Sequence, residues 1–327
     1  MTLPTNLADH LALPAVGAPL FIISGPDLVI AQSKVGIVGS FPALNARPQS
    51  LLEDWILRIK DELSEHQESN PDARVAPFAV NQICHSSNDR LSGDIEICTK
   101  HEVPIIITSL RPPTEVVDAA HSYGGLVFHD VINMRHARKA AEQGVDGLIL
   151  VCAGAGGHAG TLSPFALVRE VREWFDGVVL LSGAIADGYG IAAAQAMGAD
   201  LAYIGSRFIA TEEANADPRY KQMLMDTTAH DIVYSSLFTG VHGNYLKPSI
   251  AAAGLDPDDL PEGSKTNMDF GSGGASKAKA WRDIWGAGQG VGSITDSPPV
   301  GELIKRLSHQ YQEACNVMQS RNRFGIL

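Results

Sequence analysis

Residues 146–164 read Asp146-Gly-Leu-Ile-Leu-Val-Cys152, then Ala153-Gly-Ala-Gly-Gly-His158-Ala-Gly160, then Thr161-Leu-Ser163-Pro164. The first run is apolar and rich in branched side chains, which predicts a buried strand. The second is a glycine-rich turn that sets one imidazole where the strand ends. Ser163 as N-cap and Pro164 at the first helical position then predict a helix. Glycines let a backbone approach a ligand, and amides near a helix start favour anions. A histidine there can exchange protons near neutral pH. A tight connection carrying a structural histidine has the same local pattern, so the surrounding sequence must separate the two.

Seven comparable apolar runs accompany it, at 18–24 (APLFIIS), 35–41, 75–81, 103–109, 125–131, 178–184 and 201–208; the quoted unit supplies the eighth at 146–152. They are continuous instead of alternating, as expected of parallel strands buried on both faces. Amphipathic segments lie between them. Leu51, Leu52, Trp55, Ile56, Ile59 and Leu63 fall at helical spacing, and Gly144 and Gly198 stand as C-caps. Eight such units predict a (β/α)8 TIM barrel, with a doubly wound sheet as the alternative. The run ends favour the barrel: Ser24-Gly25, Asn81-Gln82, Ser109, His129-Asp130, 154–158, Ser182-Gly183-Ala184 and Gly205-Ser206 are small or polar. A barrel gathers such ends at one mouth, where its active site sits.

The pattern breaks after the eighth run. Residues 211–273 hold an extended piece at 231–238 and then Gly-, Pro- and Asp-rich stretches without periodicity. They predict an inserted lid or substrate subdomain, against the alternative of a disordered excursion. The barrel is accordingly assigned to 1–210 plus 274–327. Its last helix covers 302–319, preceded by a glycine-rich loop at 285–292 that can reach the mouth.

Bulk properties narrow the function. The chain has 327 residues, 45% hydrophobic and 19% charged, with 25 Lys+Arg against 37 Asp+Glu and a net charge of −12. That balance speaks against nucleic acid or an anionic membrane surface as partner. No stretch approaches the ~20 apolar residues of a membrane span, and the N-terminus lacks a signal-peptide pattern. Cys84, Cys98, Cys152 and Cys315 are scattered without metal-type spacing, as expected of reduced thiols in a cytoplasmic protein. Cys152 reads as packing, not as a nucleophile. No His, Asp or Glu set has recognisable metal spacing.

The turns after the last two runs, Ser182-Gly183-Ala184 and Gly205-Ser206-Arg207, occupy the place where barrels commonly bind phosphate. A ligand anchored there extends across the mouth toward Ser24-Gly25 and Asn81, with His158 at its edge. Residues 154–159 also fit G-x-G-x-x-A, the dinucleotide fingerprint. That motif needs an acid at the end of the next strand, where this chain has Ser182-Gly183-Ala184. Among other histidines, His129 reads as either pocket lining or packing and His85 as a possible neighbour of substrate. His101, His121, His136 and His309 read as solvated, and Tyr203 as core.

Together, Ala18-Pro19, the His129-Asp-Val-Ile-Asn-Met-Arg135-His-Ala segment, Gly156-Gly-His158-Ala-Gly160, Ser182-Gly-Ala-Ile-Ala-Asp187-Gly188, Gly205-Ser206 and Ala287-Gly-Gln289 resemble the nitronate monooxygenases, formerly called 2-nitropropane dioxygenases. The resemblance covers most of the chain and is weakest over 211–273. It implies an FMN-dependent barrel that oxidises nitronates or nitroalkanes with O2, with His158 as catalytic residue. It implies flavin contacts at Ser24, Gly25, Asn81, Asp130, Gly156, Gly157 and Gln289, and phosphate contacts at Ser182, Gly183, Ala184, Gly205 and Ser206. A homodimer is left open. The motifs are also similar to those of NAD(P)H:quinone reductases and flavin enoyl-acyl-carrier-protein reductases, which stay as alternatives beside a flavin-binding barrel without turnover. Asp130 stands where several relatives have lysine, and Val151-Cys-Ala-Gly-Ala155 where some have Q-G-x-E-A.

Overall fold

Eight short parallel strands form a sheet that closes on itself. The computed structural model describes residues 3–111, 114–263 and 284–321. The barrel strands are β1 (Ala15–Gly17), β2 (Gly39–Pro42), β3 (Phe78–Cys84), β4 (Ile105–Leu110), β5 (Leu126–Val131), β6 (Gly147–Val151), β8 (Val178–Ser182) and β9 (Leu201–Ile204). β7 (Gly157–His158) belongs to a second sheet. The barrel order is β1-β9-β8-β6-β5-β4-β3-β2, every adjacent pair parallel. A Val16–Val38 bridge, with Gly17 N–H donating to Val38 O at 2.8 Å, joins β1 to β2 and shuts the ring.

Period-2 alternation divides the strand side chains between two layers. Val38, Ile105, Ile107, Phe128, Ile149 and Leu180 fill the interior, all buried in one cluster. Val80, Ile106, Val127, Leu148, Leu150 and Val179 face the other way, under the helices, with Leu52, Ile56 and Ile59 of α3 (Leu51–Ser69). Burial pushes the thiols of Cys84, Cys98 and Cys152 up to about 12, so Cys152 is packing, as its sequence context predicted. Among the described residues no helix is long and apolar enough to cross a membrane.

The first strand is displaced from its expected position. The sequence placed it at 18–24, but the strand is Ala15–Gly17, and 18–24 forms a turn in the wall of the mouth. Pro19 has no N–H to give to a ladder. Leu20 N–H donates to Ser24 Oγ at 2.9 Å, and Asn45 accepts from Ile22 N–H while donating to Leu20 O and Ser24 O. Those side chains supply the hydrogen bonds a strand would otherwise find. Ile22 adopts φ +68°, a rare conformation for a β-branched residue.

The remaining helices follow the expected pattern. Pro164 opens α7 (Pro164–Arg172) after Ser163, although the Ser163 hydroxyl makes no cap bond. Gly198 caps α8 (Gly188–Met197) at φ +113°. The final helix is Val300–Arg321. Between β9 and that helix the described chain contains a helix at Pro218–Asp226, strands β10 (Ile232–Ser235) and β11 (Gly243–Leu246), and a helix at Lys247–Ala252. β10 coincides with the extended piece expected at 231–238; residues 264–273 of the expected insertion lie outside the described residues. The second sheet runs β10-β11-β7, antiparallel throughout, so chain from after β9 pairs directly with the turn after β6.

Candidate active site

All eight carboxyl ends of the barrel strands open on one cavity of about 1250 Å³. Its lining includes Ser24, Gly25, Asn81, Asp130, Gly156, Gly157, His158, Ser182, Gly183, Ala184, Gly205 and Ser206. Of the flavin and phosphate contacts expected from sequence, Gln289 alone is outside the lining. Its neighbours Gly288 and Gly290 are in it, and Gln289 N–H donates to Gly154 O at 2.8 Å.

The glycines of the 154–160 turn serve different ends. A Cβ on Gly156 would fall 2.7 Å from Gly288 N, so that glycine is demanded by contact with the 285–292 loop. Gly157 has φ +65° and open space where its Cβ would point, so it gives the cavity a bare stretch of backbone. The same turn is tied on every side. Gly154 O also accepts from Ala184 N–H at 3.2 Å, Asn244 Nδ2 donates to Ala155 O at 2.7 Å, and Gly288 N–H donates to Ser206 Oγ at 2.9 Å. The Ala184 amide is therefore already spent within the protein. Arg207 is also spent: it is buried, and it bonds Asp296 through its side-chain and backbone oxygens at 2.8 and 2.9 Å.

His158 sits on β7, paired with Gly243 of β11. Its Nε2 lies 2.8 Å from Thr239 Oγ1, and the Thr239 hydroxyl is 2.9 Å from Val241 O. Burial pushes the imidazole down to about 4, so it is neutral at physiological pH. On the floor, Asn81 Nδ2 donates to Ser109 Oγ at 3.0 Å and Ser109 donates to Asp130 Oδ2 at 2.6 Å. Asp130 Oδ1 is buried with no hydrogen-bond partner. Burial pushes this carboxyl up to about 6, against the pull of the Ser109 bond. Tyr203 stands beside it and also lines the cavity, so it is more than the core residue expected.

The other histidines are sorted by position. His129 is buried in the outer layer, under the helices and 2.8 Å from Thr108 Oγ1, and is packing. His85 is not in the lining; its Nδ1 lies 2.8 Å from Ser87 Oγ. His101 and His121 face Glu53 and Asp146 at 2.7 and 3.0 Å. His136 is exposed, as expected, and the first turn of α6 (Met134–Glu142) sets it at the cavity rim. Thr239, Arg47 and Tyr220 line the cavity without having been singled out from sequence. Thr239 and Tyr220 lie in the segment that lacks periodicity, and Arg47 on a connection, so no pattern marked them.

A barrel whose strand ends enclose a deep cavity, with a half-buried neutral histidine at its edge, defines an enzyme of the (β/α)8 class. The family model for nitronate monooxygenase matches residues 10–310, and the chain belongs to that family of oxidoreductases. A nitronate monooxygenase of Paraburkholderia phytofirmans is 28% identical over 219 residues, 62% of this chain and 59% of the relative. The first curated relatives are matched over only 44% to 59% of their own length. Among solved structures, a nitroalkane oxidase from Streptomyces ansochromogenes gives a TM-score of 0.78 at 23% identity, covering 96% of this chain and 100% of that one. FabK from Thermotoga maritima gives 0.75 at 23%, covering 95% and 96%. At these identities the two structures speak to the fold.

Proposed function

We propose that this protein is an FMN-dependent nitronate monooxygenase that oxidises alkyl nitronates, propionate 3-nitronate among them, with O2 to carbonyl compounds and nitrite. The observation that carries this reading is His158: neutral, half-buried, and fixed by Thr239 at the edge of a cavity that the strand ends share. Family membership supports the reaction class.

The cavity fits a flavin on two structural grounds. Gly157 leaves open backbone where a side chain would intrude, and Asp130 Oδ1 lacks a partner on the floor. Gly156, Gly157, Ser24, Gly25, Asn81 and Asp130 would hold the ring. Ser182, Gly183, Gly205 and Ser206 would receive the phosphate, Ala184 adding shape, while Gln289 acts through its loop. Bound FMN supplies the electron chemistry between nitronate and O2. The chain's own part is positional and protic. A neutral imidazole can take the α-proton of a nitroalkane, or hold a nitronate oxygen through its N–H. Phe238, Thr239 and Val241 of the 211–273 segment also line the cavity, which supports reading that segment as the substrate-side subdomain.

His158→Asn is expected to keep bound flavin and lose about 10²–10⁴-fold in nitrite formation. Undiminished turnover in that variant would remove the assignment. Anaerobic mixing separates the neighbouring activities: bleaching of the flavin by propionate 3-nitronate supports the oxidation, and rapid bleaching by NAD(P)H points to a reductase.

A further inference from the structure

Among the described residues, Arg47 is the one Lys or Arg side chain in the cavity lining. It follows the second strand of the ring and His158 follows the sixth, so the two stand across the mouth from each other. Eight strands at the usual spacing and tilt make a barrel about 15 Å across. The guanidinium is oriented by the protein but not consumed by it. Nε donates to Leu44 O at 2.9 Å, and Cζ lies 5.7 Å from the centre of the Phe21 ring. Its Nη atoms make no hydrogen bond or ion pair to any described residue. Asp27, an acid in the same lining, is taken by Arg58 at 2.6 Å.

Leu20, Phe21, Ile22, Trp55, Ile83 and Leu110 give the lining its apolar surface. The volume, about 1250 Å³, exceeds the roughly 300–1,000 Å³ usual for one drug-sized ligand, which leaves room for a substrate beside a cofactor. In a chain of net charge −12, an exposed cation held through Nε and the Phe21 ring, with both Nη atoms open, favours an anion at that point of the mouth.

Resting on the function proposed above, we infer that Arg47 is the distal subsite of the substrate pocket, and that the preferred substrate is an elongated nitronate with a carboxylate at its far end. The planar fork of the guanidinium matches a carboxylate. The apolar wall takes the intervening chain, and a short nitroalkane fills only the half of the pocket near His158.

The test compares the nitronates of 8-nitrooctanoate and 1-nitrooctane on the flavin-loaded enzyme. The ratio of their kcat/KM values is expected to favour the carboxylated substrate by about 10-fold or more, and to fall toward unity in Arg47→Met. Reading a ratio within one variant cancels any loss common to both substrates. A ratio near one in the native enzyme overturns the inference. So does weakened FMN binding in Arg47→Met, by fluorescence titration, which would give the guanidinium to the cofactor phosphate. Calorimetry with octanedioate against octanoate reads the subsite without turnover, and the diacid is expected to bind about 10-fold tighter to the native enzyme only. Tight diacid binding in an enzyme that turns over no nitronate would overturn the oxidase reading and leave the subsite standing. Equal binding of the two acids overturns the subsite.

Discussion

Thr239 has one hydroxyl proton and two acceptors within reach, Val241 O at 2.9 Å and His158 Nε2 at 2.8 Å. If the proton goes to Val241, the threonine oxygen accepts from Nε2–H and the basic lone pair is on Nδ1. If it goes to His158, the tautomer reverses and Val241 N–H, 3.3 Å away, still finds the oxygen. The contact thus fixes the ring while allowing either tautomer. Thr239→Val keeps the shape and deletes the hydrogen bond, so kcat/KM is expected to fall about 10-fold, with Thr239→Ser restoring most of it. A valine variant with native kinetics and a native pH profile would make Thr239 a packing residue. His158 itself was legible from its place at the end of a strand. Thr239 was not, because a partner 81 residues away leaves no periodic trace.

At the scale of elements, strands buried on both faces were legible as continuous apolar runs, and their small or polar ends marked the mouth. The first was misplaced because 18–24 is as apolar as a strand while its hydrogen bonds go to Ser24 and Asn45, which composition does not reveal. The pairing of β7 with β11 was illegible for a different reason: two residues are too few to carry an alternation signal. That pairing is sterically exacting. A Cβ on Gly243 would lie 2.8 Å from Gly157 O, a backbone atom that can yield only if β7 moves. Gly243→Ala is therefore expected to displace His158 and cut turnover by at least about 10-fold, since small misplacements at a reacting centre are costly. The far-ultraviolet circular dichroism of the barrel should be unchanged. Full activity would show that β7 tolerates the shift.

Across the whole molecule, three groups shifted by desolvation set opposing acid responses. His129 and His158 are both pushed down to about 4, so their contribution to stability is complete above 6.5 and is lost as pH falls through 4. Asp130 is pushed up to about 6, so its contribution is complete below 3.8 and is lost as pH rises through 6. Between pH 4 and 6 the aspartate offsets one histidine. Asp130→Asn removes the offset, and the unfolding free energy of the apoprotein should then fall more steeply on acidification, by about 1.4 kcal/mol per pH unit. Denaturant titrations at several pH values measure the slope, and identical slopes would refute the burial of that carboxyl. The antiparallel pairing of β7 with β11 also orders events in time. When His158 leaves the ribosome, β8, β9 and the strand it must pair with have yet to be made. The barrel can close from neighbouring segments, but the histidine is held only after the chain has returned from well beyond the last barrel strand. The pairing that holds His158 can thus form only after every barrel strand has been made.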